Sequence, residues 1–109
     1  MSTEIETLSK YNSLNSIDFG DKVIFFKIGA EWCVPCKELE KILIDIPDSL
    51  IYNIDIDNED FESFFVDNNI YNIPTTIVKY KHKTDRFVGR KIPEEINYII
   101  EKIKQDSCE

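Results

Sequence analysis

Cys33 and Cys36 lie in the stretch Trp32-Cys33-Val34-Pro35-Cys36-Lys37, at the point where an apolar, β-rich run gives way to a helical pattern. That placement puts Cys33 at the start of a helix. The unpaired N–H groups and the positive end of the helix dipole favour a thiolate there. A thiolate, not a thiol, attacks disulfides, so this pair is suited to dithiol–disulfide exchange. The third cysteine, Cys108, is the penultimate residue and reads as an incidental thiol on a frayed tail, or else as one half of an intermolecular disulfide. An odd number of cysteines does not suggest a structural disulfide framework.

The elements around the pair follow from periodicity. Val23–Ile28 is a short apolar run that suits a central strand buried on both faces. Pro35 falls in the first turn of the next helix, where proline is tolerated. Leu39, Ile42, Leu43 and Ile46 then recur at helical spacing, and Pro47 is expected to end that helix. Ile5–Leu8 predicts a short edge strand, Lys10–Ile17 a helix closed by a turn over Asp18–Asp21, and Leu50–Asp57 a second buried strand. Glu59–Asn68 predicts a helix with Phe61, Phe64 and Phe65 on one face. Thr75–Lys81 and Arg86–Gly89 predict two strands around a polar turn. Pro93 opens a last helix with a stripe of Ile96, Ile99, Ile100 and Ile103. The order β-α-β-α-β-α-β-β-α implies one domain over residues 1–109, an α/β fold with a central mixed sheet and helices on both faces. Loops at one edge of such a sheet collect active groups.

Composition narrows the function classes. The chain has 109 residues, 42% of them hydrophobic and 31% charged, with a formal net charge of −8. No basic face favours nucleic acid; Lys79, Lys81 and Lys83 read as a solvated edge. No apolar run approaches the roughly 18 residues of a membrane span. The start Met1-Ser2-Thr3-Glu4 lacks the basic and apolar stretches of a signal peptide, so the expected location is cytoplasmic. An abundance of Ile, Asn, Lys and Tyr fits an AT-rich genome. Were the source a large DNA virus, the location would be host cytoplasm or virion.

Trp-Cys-x-Pro-Cys-Lys after an apolar strand, then Ile73-Pro74-Thr75, Phe87-Val88-Gly89 and a terminal helix together resemble thioredoxin. Ala30-Glu31-Trp32 adds to the match, which runs from about Val23 to Lys104. The resemblance implies that Cys33, the more exposed cysteine, is the nucleophile and that Cys36, one turn inside the helix, resolves the mixed disulfide and leaves a Cys33–Cys36 disulfide. It implies a substrate-binding surface of Trp32, Val34, Pro35, Ile73, Pro74 and Gly89. Trp32 would wall the site, with plain core packing the competing role. Pro74 would be cis, Ile73 would offer its backbone to an extended substrate, and Gly89 would permit close approach or only relieve strain at a strand end. Expected partners are disulfide-containing proteins and a thioredoxin reductase or glutathione system, with no cofactor in the chain itself.

One position breaks the pattern. Thioredoxins usually place a buried aspartate six residues before the first cysteine, as proton acceptor for the resolving cysteine; here that residue is Lys27. Either Lys27 points toward Cys36 and yields a less reducing dithiol, or it snorkels outward and the redox chemistry is ordinary. Val34 adds bulk inside the CxxC, and Asn53 stands where a lysine is common. A two-residue excess precedes Pro74, near Asn68 and Asn69. Two rival functions are a protein-binding module with an idle or oxidase/isomerase-type dithiol, and a zinc site built from Cys33, Cys36, His82 and Cys108, for which a second closely spaced ligand pair is missing.

Overall fold

The computed structural model describes residues 4–8, as backbone, and 20–106. In chain order these form β1 (Glu4–Leu8), β2 (Val23–Gly29), α1 (Val34–Leu43), β3 (Ser49–Asp55), a 3-10 turn (Glu59–Phe61), α2 (Glu62–Asp67), β4 (Thr75–Tyr80), β5 (Lys83–Val88) and α3 (Pro93–Asp106). The helix expected over Lys10–Ile17, the first part of the Asp18–Asp21 turn, and Cys108 lie outside the described residues.

Every residue of β2 is buried, as its unbroken apolar run requires of a strand covered on both faces. The sheet order is β1-β3-β2-β4-β5, with β1, β3 and β2 parallel and β4 and β5 antiparallel. Alternation along β2 sorts its side chains between two cores. Val23 and Phe25 pack with Leu39 and Leu43 of α1 and with Ile96 and Ile100 of α3. Ile24, Phe26 and Ile28 pack on the other face with Phe61, Phe64 and Phe65. The fold is therefore a mixed sheet with helices on both faces.

Three boundaries differ from the periodic pattern. Helix α1 stops at Leu43 rather than at Pro47; Asp45 and Ile46 donate to carbonyls three residues back, so the last turn tightens while Ile46 stays buried. The helix expected over Glu59–Asn68 is split, with Asn58 capping a 3-10 turn before α2. Strand β5 begins at Lys83, because pairing to β4 carries polar residues that propensity alone leaves as turn. At the end of α2, Asn69 adopts φ 55° and the Arg86 guanidinium donates to the carbonyls of Asn68 and Asn69.

Leu39 is fully buried and seats α1 on the sheet. Leu39→Ala is expected to cost about 2–5 kcal/mol, read as a lower urea midpoint with an unchanged slope.

Candidate active site

The chain leaves β2 and turns directly into α1, so whatever caps α1 stands at the carboxyl end of the central strand. The cap is Cys33, with extended backbone (φ −91°, ψ 107°), and its Sγ accepts a hydrogen bond from the Cys36 N–H at 3.2 Å. Sulfur thus fills a position usually held by a side-chain oxygen. Val34 and Pro35 occupy the first helical positions, where the missing proline N–H has no intrahelical partner to lose. No acidic residue lies in that first turn, so the positive end of the helix faces the sulfur alone.

Cys33 and Cys36 are joined by a disulfide, with Cα atoms 5.3 Å apart. Both cysteines are buried, Cys33 at 4% and Cys36 at 1% exposed, so Cys33 is the more exposed of the pair by a small margin. The open surface comes from the neighbours instead. Trp32 is 70% and Val34 64% exposed, so core packing is not the role of Trp32. Pro35 is exposed as well.

Register brings the remote residues to the same edge. Ile28 pairs with Thr75, which sets Pro74 across from Gly29 at the end of β2. The Ile73–Pro74 bond is cis, Pro74 is buried, and Ile73 is half-buried against the phenylalanine core. The Gly89 N–H donates to the Pro74 carbonyl at 2.7 Å. Gly89 has φ +81° and open space where a Cβ would stand, so backbone conformation rather than room requires glycine. His82 sits exposed in the β4–β5 turn, and no group of three potential metal ligands occurs among the described residues.

Beneath the disulfide lies a polar row that periodicity did not announce. Asn53 of β3, Lys27 of β2 and Thr76 of β4 are in register across three strands. Lys27 is only 7% exposed; its Nζ lies 3.6 Å from Glu40 Oε1, and that oxygen also accepts from Asn53 Nδ2 at 3.2 Å. Desolvation holds the Lys27 pKa below its usual range, and the Glu40 charge and hydrogen bond offset this only in part. Lys27, Glu40, Asn53 and Cys36 line one cavity of about 290 Å³. Lys27 and Cys36 thus border the same space. Glu40 and Gly29 were missed from sequence. Glu40 was legible, since it follows Cys36 by four residues and shares its helix face. Gly29 was not: a Cβ there would lie 2.8 Å from Cys36 Sγ, a contact only the fold creates.

No family model matches the chain. Among curated proteins, the thioredoxin of Malassezia sympodialis is 27% identical over 92 residues, covering 78% of this chain and 86% of that protein. Thioredoxin H8 of Arabidopsis thaliana is 27% identical over 95 residues, covering 84% and 64%. A sequence designated thioredoxin H10 from the same plant is 30% identical over 77 residues, covering 67% and 49%. The chain thus spans about half to two thirds of the two plant relatives. Among solved structures, thioredoxin of M. sympodialis superposes with TM-score 0.69 at 24% identity, covering 91% of this chain and 90% of that one. That of Schistosoma mansoni gives 0.74 at 24%, covering 93% and 99%. The fold is thioredoxin-like. The curated relatives are thioredoxins, and the Cys33–Cys36 pair fits a CxxC motif of the thioredoxin type.

Two predictions follow from this geometry. Gly29→Ala forces Cys36 to shift and is expected to destabilise the disulfide form by about 1–3 kcal/mol, measured by urea unfolding without reductant. For Lys27, the folded chain releases its proton at lower pH than the unfolded chain. Between that lowered value and 10.5 the unfolded state holds more protons, so stability due to Lys27 rises with pH; below the window the buried ammonium is a net cost. Lys27→Met is therefore expected to raise the urea midpoint at neutral pH, by an amount that shrinks as pH approaches 10.5.

Proposed function

We propose that this chain is a thiol–disulfide oxidoreductase that reduces protein disulfides through Cys33 and Cys36. The observation that carries the reading is the sulfur-capped helix: Cys33 Sγ stands at the N-terminus of α1, bridged to Cys36 one turn inside. On reduction, the cap position and the Cys36 N–H stabilise a Cys33 thiolate. That thiolate attacks a substrate disulfide, and the first substrate sulfur leaves. Cys36 then attacks Cys33 Sγ, the mixed disulfide breaks, and the dithiol has passed two electrons to the substrate. A thioredoxin reductase or a glutathione system would restore the dithiol.

Trp32, Val34 and Pro35 form an exposed apolar rim in this reading, and Ile73, Pro74 and Gly89 line the adjoining edge as the docking strip for an extended segment. Lys27 faces the cavity beside Cys36, and its positive charge favours thiolates over the disulfide. The couple is therefore less reducing than one with a carboxylate at that position, to an extent moderated by the Glu40 pair.

Insulin-disulfide turnover with dithiothreitol as electron donor tests the central claim. Cys33→Ser is expected to abolish turnover, and Cys36→Ser to accumulate a covalent mixed disulfide visible by mass. Wild-type turnover no faster than that of Cys33→Ser leaves the docking-module reading in its place. Equilibration with dithiothreitol is expected to show Lys27→Asp more reducing than wild type by about 30 mV, a tenfold change in the equilibrium constant.

A further inference from the structure

Resolution of a mixed disulfide needs a place for one proton. Cys36 enters that step as a thiol, and its side chain is cut off from bulk water. The cavity beside it has a volume of about 290 Å³, room for several waters at about 30 Å³ each. Three carboxylates border this space. Glu31 is exposed in the loop before α1, and Asp55 is exposed at the end of β3, where its Oδ1 accepts from the Asp57 N–H at 2.9 Å. Glu40 alone among them is fixed from the sheet, by Lys27 at 3.6 Å and Asn53 at 3.2 Å, on the same helix face as Cys36. The cations facing the cavity are Lys27 from β2 and Lys37 from α1, the latter exposed.

We propose that Glu40 accepts the proton of Cys36, through water in this cavity, during the resolving step, with Lys27 and Asn53 as the residues that position it. This rests on the exchange reading above. The Cys36 S–H bond breaks and its proton passes to the Glu40 carboxylate. The freed sulfur pair bonds to Cys33 Sγ as the Cys33–substrate bond breaks. The substrate leaves as a thiolate that is protonated by solvent, and Glu40 later returns its proton to water. In reverse, the Glu40 carboxylic acid protonates Cys36 as a reductant opens the disulfide.

The polar row supplies a second, independent support. The lysine ammonium carries three N–H donors. Asn53 Oδ1 and Thr76 Oγ1 flank it, each one strand spacing away, and both are buried without a hydrogen-bond partner. When Glu40 becomes neutral, these oxygens accept from the ammonium, whose charge then faces the new Cys36 thiolate. The site holds a carboxylate that can give up its partner and a cation with other acceptors at hand.

The experiment mixes reduced protein rapidly with the aromatic disulfide of thionitrobenzoate. With Cys108→Ser as the background throughout, Cys33 releases the first thionitrobenzoate and Cys36 the second. Glu40→Gln is expected to slow the second release about 100-fold, at the low end of general acid–base contributions. It should also remove the acid limb of that release's pH profile and leave the first release at the wild-type rate. Glu40→Asp should restore part of the rate. A second release in Glu40→Gln with wild-type rate and pH profile overturns the role of Glu40 while the exchange reading stands. A Cys108→Ser protein, otherwise wild type, that releases no thionitrobenzoate overturns both. Should Glu40→Gln fail to fold, NMR titration of the labelled Glu40 carboxyl in wild type decides. Distinct curves in the dithiol and disulfide forms are expected, and identical curves overturn the proposal.

Discussion

A charge on the most buried strand of a protein must find a partner or surrender its proton. Lys27 meets that constraint on β2, and much of the site is arranged around it. The partner cannot come from β2 itself, whose other side chains on that face are apolar. It comes from α1, which crosses above, and Glu40 is the acidic residue whose helix position reaches down. Asn53 then holds the carboxylate from the neighbouring strand. The ion pair ties together the helix that carries both cysteines and the sheet on which it rests. Removing Glu40 would leave the buried Lys27 charge unpaired, whereas removing Lys27 leaves a carboxylate that still reaches water, so the pair fixes the orientation of α1 more than it adds net stability.

The same crossing explains why the disulfide sits where it does. Cys36 projects from α1 toward the end of β2, and the strand admits it only because Gly29 has no side chain. Cys33, as helix cap, is held by its own bond from the Cys36 N–H. The two sulfurs are packed inward, while Trp32 and Val34 are turned outward. Chemistry and contact surface are thus separated by a single residue of chain. A strand buried on both faces provides the rigid base, and the loop leaving it provides the exposed rim.

Much of the fold was legible in the pattern of apolar residues. The run Val23–Ile28 announced a central strand, and the phenylalanine and isoleucine stripes announced two of the helices, because burial on one face repeats with the period of the element. Boundaries were less legible. Lys83–Asp85 reads as turn by composition, yet it pairs with β4, since backbone hydrogen bonding to a neighbour overrides weak local preference. Helix α1 lost its last turn for the converse reason. Ile46 keeps its place in the core through a tightened turn, and regular helix is not required to bury it.

What the sequence determined by itself was the chemistry on offer: two thiols separated by two residues at a helix start, one proline in the first turn, another ahead of a strand, and a lysine six residues upstream. Those are local facts, set by residue type and spacing. Only the tertiary structure decided what the lysine does. Its neighbours Asn53 and Thr76 are 26 and 49 residues away along the chain, and its ion partner lies on a helix above the sheet. Whether a lysine on a strand faces water or a carboxylate depends on which elements cover that face. That is settled by the packing of strands and helices distant in sequence, and no local pattern encodes it.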